Sequence, residues 1–179
     1  MSTLFVENLK GPTTGDNANK VIIPTGQTLQ IDDGIDYASM PAGTVIQQVS
    51  YSSSATTTTT STSFVTTGTG VNITPRFSNS NMLIMFSGNA YSSANAGWRG
   101  LIYKNGSVLP TDTSEDLQAY LNSSPAVGNV AGRIEIDTNV NTTSSINYTY
   151  YFKNAGSGTA YWYRNVCMVV QEIKAWAFW

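Results

Sequence analysis

Between Thr44 and Trp179 the apolar residues come in short runs, each closed by Gly, Asn, Ser or Pro, and this punctuation limits the fold more than any other feature. The run Met82 to Phe86, inside "NMLIMFSGNAYSS", is too short for a helix that must bury a face, and it suits a central strand. "LIYKNGSVL", Leu101 to Leu109, sets two apolar strands around an Asn-Gly pair, the pair that accepts positive φ at both corners of a type I′ hairpin. Ile134 and Ile136 alternate with Glu135 and Asp137. Ile146, Tyr148 and Tyr150 alternate in "SSINYTYYF". "YWYRNVCMVVQEI" closes the pattern with one or two more strands. About eight strands joined by tight turns predict an all-β antiparallel β-sandwich or jelly roll over residues 40–179.

The segment "TTTTTSTSFVTTGTGVNITP", Thr56 to Pro75, belongs to that pattern despite its narrow alphabet. Threonine is β-branched, and a strand with threonines on its wet face is soluble without charge. Thr62 to Thr74 reads as strand, broken near Gly68 to Gly70, and Thr56 to Thr60 as a mobile tip. Thr111 to Gly128 is the most helix-compatible stretch. It predicts at most one turn, capped by Ser114 and ended before Pro125.

Residues 1–39 read differently. Leu4 to Leu9, Val21 to Ile23 and Thr28 to Ile31 are strand-like but too short to bury much alone, and Gly11, Pro12 and Gly15 lie in a turn between the first two. Short strands at this spacing predict a small prism or hairpin that needs partners, with Leu4, Val6, Leu9, Val21 and Ile23 the residues expected to meet another chain. "DDGIDYASMPAG" is a corner before the larger domain.

Charged residues make up 11% of the chain and aromatics another 11%, the balance of a folded protein rather than a disordered one. The net charge of −2 argues against a nucleic-acid partner, which draws on clustered Lys and Arg. With one cysteine and no histidine, an intrachain disulfide and the usual zinc sites are not available. Cys167 reads as a small buried hydrophobe, with no histidine to activate it. Met1 to Lys10 lacks the basic and apolar parts of a signal segment, and no window approaches the ~20 apolar residues that cross a bilayer. The expectation is synthesis in a cytoplasm, no export signal and no membrane insertion.

Catalytic groups are sparse. Glu135 and Asp137, two apart on a strand, share one face as a glycosidase pair must, but they read as the solvated side of an amphipathic strand. Glu115 with Asp116, and Glu172, are the other acidic candidates. Asp32, Asp33 and Asp36 around Gly34 have oxygen ligands that suit calcium, yet their irregular spacing reads as a polar turn. Thr67 to Gly70 lacks the lysine and helix of a phosphate loop. No enzyme activity, metal or cofactor is expected.

Aromatic rings are what remains. Tyr91, Trp98, Tyr103, Tyr120, Trp162 and Tyr163 fall in or beside loops and strand ends. Rings stack on flat apolar faces and offer a polar edge, so Tyr91, Trp98, Tyr120 and Trp162 are the candidate sugar-binding residues. Trp176, Phe178 and Trp179 in "KAWAFW" place three large rings within four residues, costly to leave wet, and are the expected docking residues on a subunit or another protein.

In order and spacing these stretches resemble short tail-fibre and related virion proteins of tailed bacteriophages, especially those of marine and cyanobacterial hosts. "TLFVENLKG…VIIPTGQTLQI" is similar to the family's opening, and Met40 to Tyr51, "MPAGTVIQQVSY", to the sequence that follows it. Thr62 to Gly88 looks like its strand, Thr-Pro, strand core. Leu101 to Leu109, Asn147 to Tyr151 and the closing Val169 to Ile173 also fit. The pattern ends soon after the Glu-Ile pair, whereas Lys174 to Trp179 add an aromatic hook here.

The resemblance implies a homotrimeric virion protein. Residues 1–39 would be a virion-attachment or trimeric stalk segment that contacts other virion proteins, and the β-sandwich head would bind a host-surface glycan through repeated weak contacts. The alternative is a structural virion protein, a capsid decoration or tail adaptor, with no host ligand. A depolymerase and a secreted carbohydrate-binding module fit less well.

Overall fold

A computed structural model describes residues 11–16, 18, 20–22, 25, 37–93, 97–111, 117–120, 128–138, 140–156 and 158–175; of residues 39, 117–120, 128–131 and 164 it describes the backbone alone. The chain divides into two compact units, Met1–Tyr37 and Ala38–Trp179.

In the first unit a turn is set by Gly15, whose φ of 88° is left-handed, and closed by Ala18 N–H donating to Gly15 O at 3.0 Å. Gly11 is required by a close approach: a Cβ there would lie 2.1 Å from the Lys20 carbonyl oxygen. Val21 and Ile22, expected in a strand, have no regular structure and are exposed. Leu4 to Leu9, Ile23 and Thr28 to Ile31 lie outside the described residues, as do Asp32, Asp33 and Asp36.

The second unit is a β-sandwich of two antiparallel five-stranded sheets. Sheet I runs β1 (Val45–Ser53), β10 (Ala160–Ile173), β4 (Asn81–Ser92), β8 (Gly128–Asp137), with β2 (Thr57–Thr59) also paired to β10. Sheet II runs β3 (Val65–Ile73), β9 (Ile146–Asn154), β5 (Gly97–Lys104), β6 (Ser107–Val108), with β7 (Leu117–Tyr120) also on β5. The helical content among the described residues is one 3-10 turn, Tyr37–Ser39.

The predicted hairpin is present. Asn105 and Gly106 both have positive φ, and Lys104 pairs with Ser107 across the two-residue loop. The threonine segment differs from expectation in two places. Thr57–Thr59 is ordered, because β1 leaves β10 at Val166 and the edge of β10 beyond it is open; Thr57 pairs there with Trp162 and Thr59 with Ala160. Near Gly68 the strand bulges without breaking. Gly68 takes φ 75°, and the Thr67 hydroxyl donates to Tyr150 O at 2.8 Å across the interrupted ladder. Leu117–Tyr120, within the helix-compatible stretch, is likewise strand, since the edge of β5 beside Gly97 to Gly100 takes it up. Ser114 and Glu115 with Asp116 lie outside the described residues.

Strict alternation in β4 turns Met82, Ile84, Phe86 and Ala90 inward. They meet Tyr148, Tyr150 and Phe152 of β9, all fully buried. Trp162 is the hub between the sheets, with ring centroids 5.3 Å from Phe86, 4.9 Å from Tyr150 and 5.7 Å from Trp98. Gly88 makes room for it: a Cβ at that position would lie 2.7 Å from the Trp162 ring.

Glu172 is a polar keystone. Fully buried, it accepts from Gln47 Nε2 at 2.6 Å, Ser80 Oγ at 2.6 Å, Arg76 N–H at 2.9 and 3.0 Å and Phe77 N–H at 3.1 Å. Those donors fold residues 74–80 over the end of β10 and satisfy the carboxylate with hydrogen bonds. The connection in turn holds Val140 N–H on Ser80 O at 3.1 Å.

Candidate functional site

The two faces of β10 sort its rings. Ala160, Trp162, Met168 and Val170 point into the sandwich, and Tyr161 and Tyr163 point out. Across the ladder Tyr91 of β4 lies directly opposite Tyr161, and Asn89 opposite Tyr163. The result is a pad on the outer face of sheet I. Tyr91 and Tyr161 stack with centroids 4.3 Å apart, and Tyr163 meets Tyr91 edge-on at 6.0 Å. Thr58, paired with Tyr161 from β2, borders the pad with a hydroxyl, and Asn89 borders it with an amide.

Tyr163 is 45% exposed, and Tyr91 and Tyr161 are half-buried. Partial loss of solvent and then the adjacent Tyr161 hydroxyl hold the Tyr91 phenol above its ordinary value of 10.0. The Tyr91 phenol is therefore neutral through the physiological range. The pad presents ring surface flanked by hydroxyl and amide groups, the chemistry that binds a sugar's apolar face and its hydroxyl rim.

Of the rings expected at a ligand site, Tyr91 lies in this pad. Trp98 and Trp162 do not reach a surface: at 2% and 1% exposure they are core, packed edge to face on one another. The reason is parity. Both occupy inward positions on their strands, and the strand ends where they lie are closed over by the opposite sheet. Tyr120 is placed by its backbone pairing with Gly97 at the edge of sheet II, and its side chain lies outside the described residues. Tyr161 is not among the rings expected at a ligand site; it joins the pad only through the pairing of β10 with β4.

Of the residues expected to meet other chains, Val21 is exposed at 48%. Leu4, Val6, Leu9, Ile23, Trp176, Phe178 and Trp179 lie outside the described residues.

A second ring group lies on sheet II. Tyr103 and Tyr151 stack at 4.0 Å, Phe64 leans on Tyr103 at 6.1 Å, and Lys153 Nζ sits 4.5 Å over the Phe64 ring. These rings cover one another, and the lysine caps the group.

The acidic pair is inverted relative to expectation. Glu135 and Asp137 share a face, but it is the inner one, and Ile134 and Ile136 face outward at 69% and 48% exposure. Glu135 Oε1 is gripped by Arg133 through Nη2 at 2.9 Å and Nε at 3.0 Å. Asp137 Oδ2 accepts from Tyr148 Oη at 2.5 Å and pairs with Lys104 Nζ at 2.7 Å. Burial, then the Asp137 carboxylate, push the Tyr148 phenol far above its ordinary value. Arg133 on the same strand satisfies Glu135, Tyr148 and Lys104 across the sandwich satisfy Asp137, and with these partners the charges of a sheet-edge strand turn inward. Cys167 also departs from expectation. It is half-buried on the outward side of β10, opposite Ser87.

No protein-family model matches the chain, and no curated protein is similar to it in sequence.

Proposed function

We propose that the chain is a non-enzymatic component of a tailed-bacteriophage virion, a homotrimeric tail-fibre protein that attaches the particle to host-surface glycan. The observation that carries the ligand side of this reading is the Tyr91–Tyr161–Tyr163 pad, three tyrosines gathered on one outer face beside Asn89. The virion side rests on the ordered resemblance of residues 3–31, 40–51, 62–88, 101–109, 147–151 and 169–173 to tail-fibre proteins. A single pad binds weakly. Three pads on one assembly bind a repetitive cell surface with an affinity that none has alone.

The second reading, a structural virion protein without a host ligand, draws on the exposed Ile134 and Ile136, which suit a protein neighbour better than a sugar. Cryo-electron microscopy of the intact particle separates the two. Three-fold copies projecting from the tail are the expected result. Copies tiling the capsid, or enclosed between tail proteins, would overturn the attachment reading.

A further inference from the structure

Resting on the saccharide reading of the tyrosine pad, we propose that Asn165 is its specificity-determining residue, the side-chain amide that reads an adjacent pair of free hydroxyls on a sugar stacked at Tyr163.

The warrant is an irregularity in β10. Tyr163 pairs with Asn89 and Cys167 with Ser87, so Arg164, Asn165 and Val166 together span the stretch that β4 covers with Gly88 alone. The ladder on the other side is interrupted at the same place, since β1 pairs with β10 as far as Val166 and β2 takes over only at Trp162. Exposure keeps alternating through the bulge: Trp162 and Val166 are buried, and Tyr163 and Asn165 are exposed. The outward residue that the bulge adds to the strand is therefore Asn165, next after Tyr163 on the outer face.

Asn165 takes φ 64°, in the left-handed region. The other two non-glycine residues of positive φ among the described residues are explained by turns. Asn105 forms the hairpin corner, where its Oδ1 accepts from Asn147 N–H at 2.8 Å, and Asn141 turns the connection between β8 and β9, donating its N–H to Ser78 O at 2.7 Å. Asn165 stands inside a strand. The bulge of β3 meets the same backbone demand with Gly68, φ 75°, a residue for which the left-handed region carries no steric cost. At the bulge beside the tyrosine pad, the position carries an amide instead. Packing accounts for Val166, whose Cγ1 lies 3.3 Å from where a Gly88 Cβ would stand, and it asks nothing of the Asn165 side chain.

The amide suits the ligand. One carboxamide offers Nδ2–H donors and an Oδ1 acceptor, the complement of two neighbouring hydroxyls of which one accepts and one donates. Tyr163 beside it offers ring surface to the apolar face of the same sugar.

The test is binding of the full chain to an array of neutral and acidic oligosaccharides that includes pairs differing in the orientation or presence of one hydroxyl. Titration calorimetry then follows on the best-bound pair. Native protein is compared with Asn165→Gly, Asn141→Gly and Tyr91→Ala/Tyr163→Ala. Glycine accepts the left-handed backbone, so Asn165→Gly removes the amide without straining the bulge. Asn141→Gly makes the same exchange at an exposed left-handed position of another turn.

Native protein and Asn141→Gly are expected to bind equally and to prefer one member of the pair. Asn165→Gly is expected to bind that member about five- to tenfold more weakly and the other member unchanged, which abolishes the preference. The tyrosine double variant is expected to lose both. A native protein with no preference within any pair, or Asn165→Gly that keeps the preference or weakens both members alike, overturns the role of Asn165 and leaves the pad reading intact. A native protein that binds no oligosaccharide, or a tyrosine double variant that binds as the native protein does, overturns the pad reading and this inference with it.

Discussion

Trp162 and its neighbours Tyr161 and Tyr163 occupy three consecutive positions of one strand, yet they belong to different parts of the molecule. Trp162 is 1% exposed and touches Phe86, Trp98, Tyr150 and Phe152; Tyr163 is 45% exposed and touches Tyr91 from outside. Ring type does not decide this, since Tyr148 and Tyr150 are as fully buried as Trp162; strand parity does. An aromatic residue in a sandwich of this kind therefore acquires its role from register. The same rule governs β8, where the isoleucines face out and the carboxylates face in.

The sharpest way to break this contrast is to truncate on each side of β10. Trp162→Ala empties the hub and should cost about 3–5 kcal/mol, read as a lowered denaturation midpoint with the slope preserved. Loss of less than ~1 kcal/mol would mean that the ring is not the core's hub.

Glu172→Gln is next. The replacement amide offers one acceptor and one donor to a ring of donors, leaving Arg76 N–H, Phe77 N–H or Gln47 Nε2 unmatched, at a cost of about 2–3 kcal/mol by thermal or chemical unfolding.

Tyr148→Phe removes the hydroxyl from Asp137 and should cost about 1–2 kcal/mol near neutral pH. It also carries a pH signature. The folded pKa lies above the unfolded value of 10.0, so the native state holds a proton that the unfolded chain has released. The stabilisation is complete below that value and declines as pH rises beyond it. The native protein should therefore lose its margin over Tyr148→Phe above pH 10, and parallel curves there would refute the buried Tyr148–Asp137 contact.

On the outer side, Tyr163→Ala should change stability by about 0.5 kcal/mol or less, as most surface substitutions do. Its expected effect is on attachment.

Much of the sandwich was legible in the sequence because its signals are local. The Asn105-Gly106 hairpin and the run from Met82 to Phe86 declare themselves within a few residues. Elements set by distant partners were not legible. Thr57–Thr59 and Leu117–Tyr120 are strands because edges of β10 and β5 stand open to them, and nothing within either segment says so. The polarity of β8 was inverted for the same reason: an Ile-Glu-Ile-Asp alternation gives two faces but not which one is inside. Tyr148 and Lys104, far along the chain, decide it. The pad was half legible. Tyr91 was identified as a candidate, but Tyr161 comes to it only through the pairing of β4 with β10.

The most direct measurement is the adsorption of labelled full-length protein to a panel of marine cyanobacterial cells. Native protein would be compared with the double variant Tyr91→Ala/Tyr163→Ala and with Tyr103→Ala/Tyr151→Ala on sheet II, all matched for mass and unfolding temperature. Loss of adsorption in the first variant alone is the predicted result. Equal adsorption by all three, or loss only in the sheet II variant, would contradict the proposal that the pad is an attachment surface.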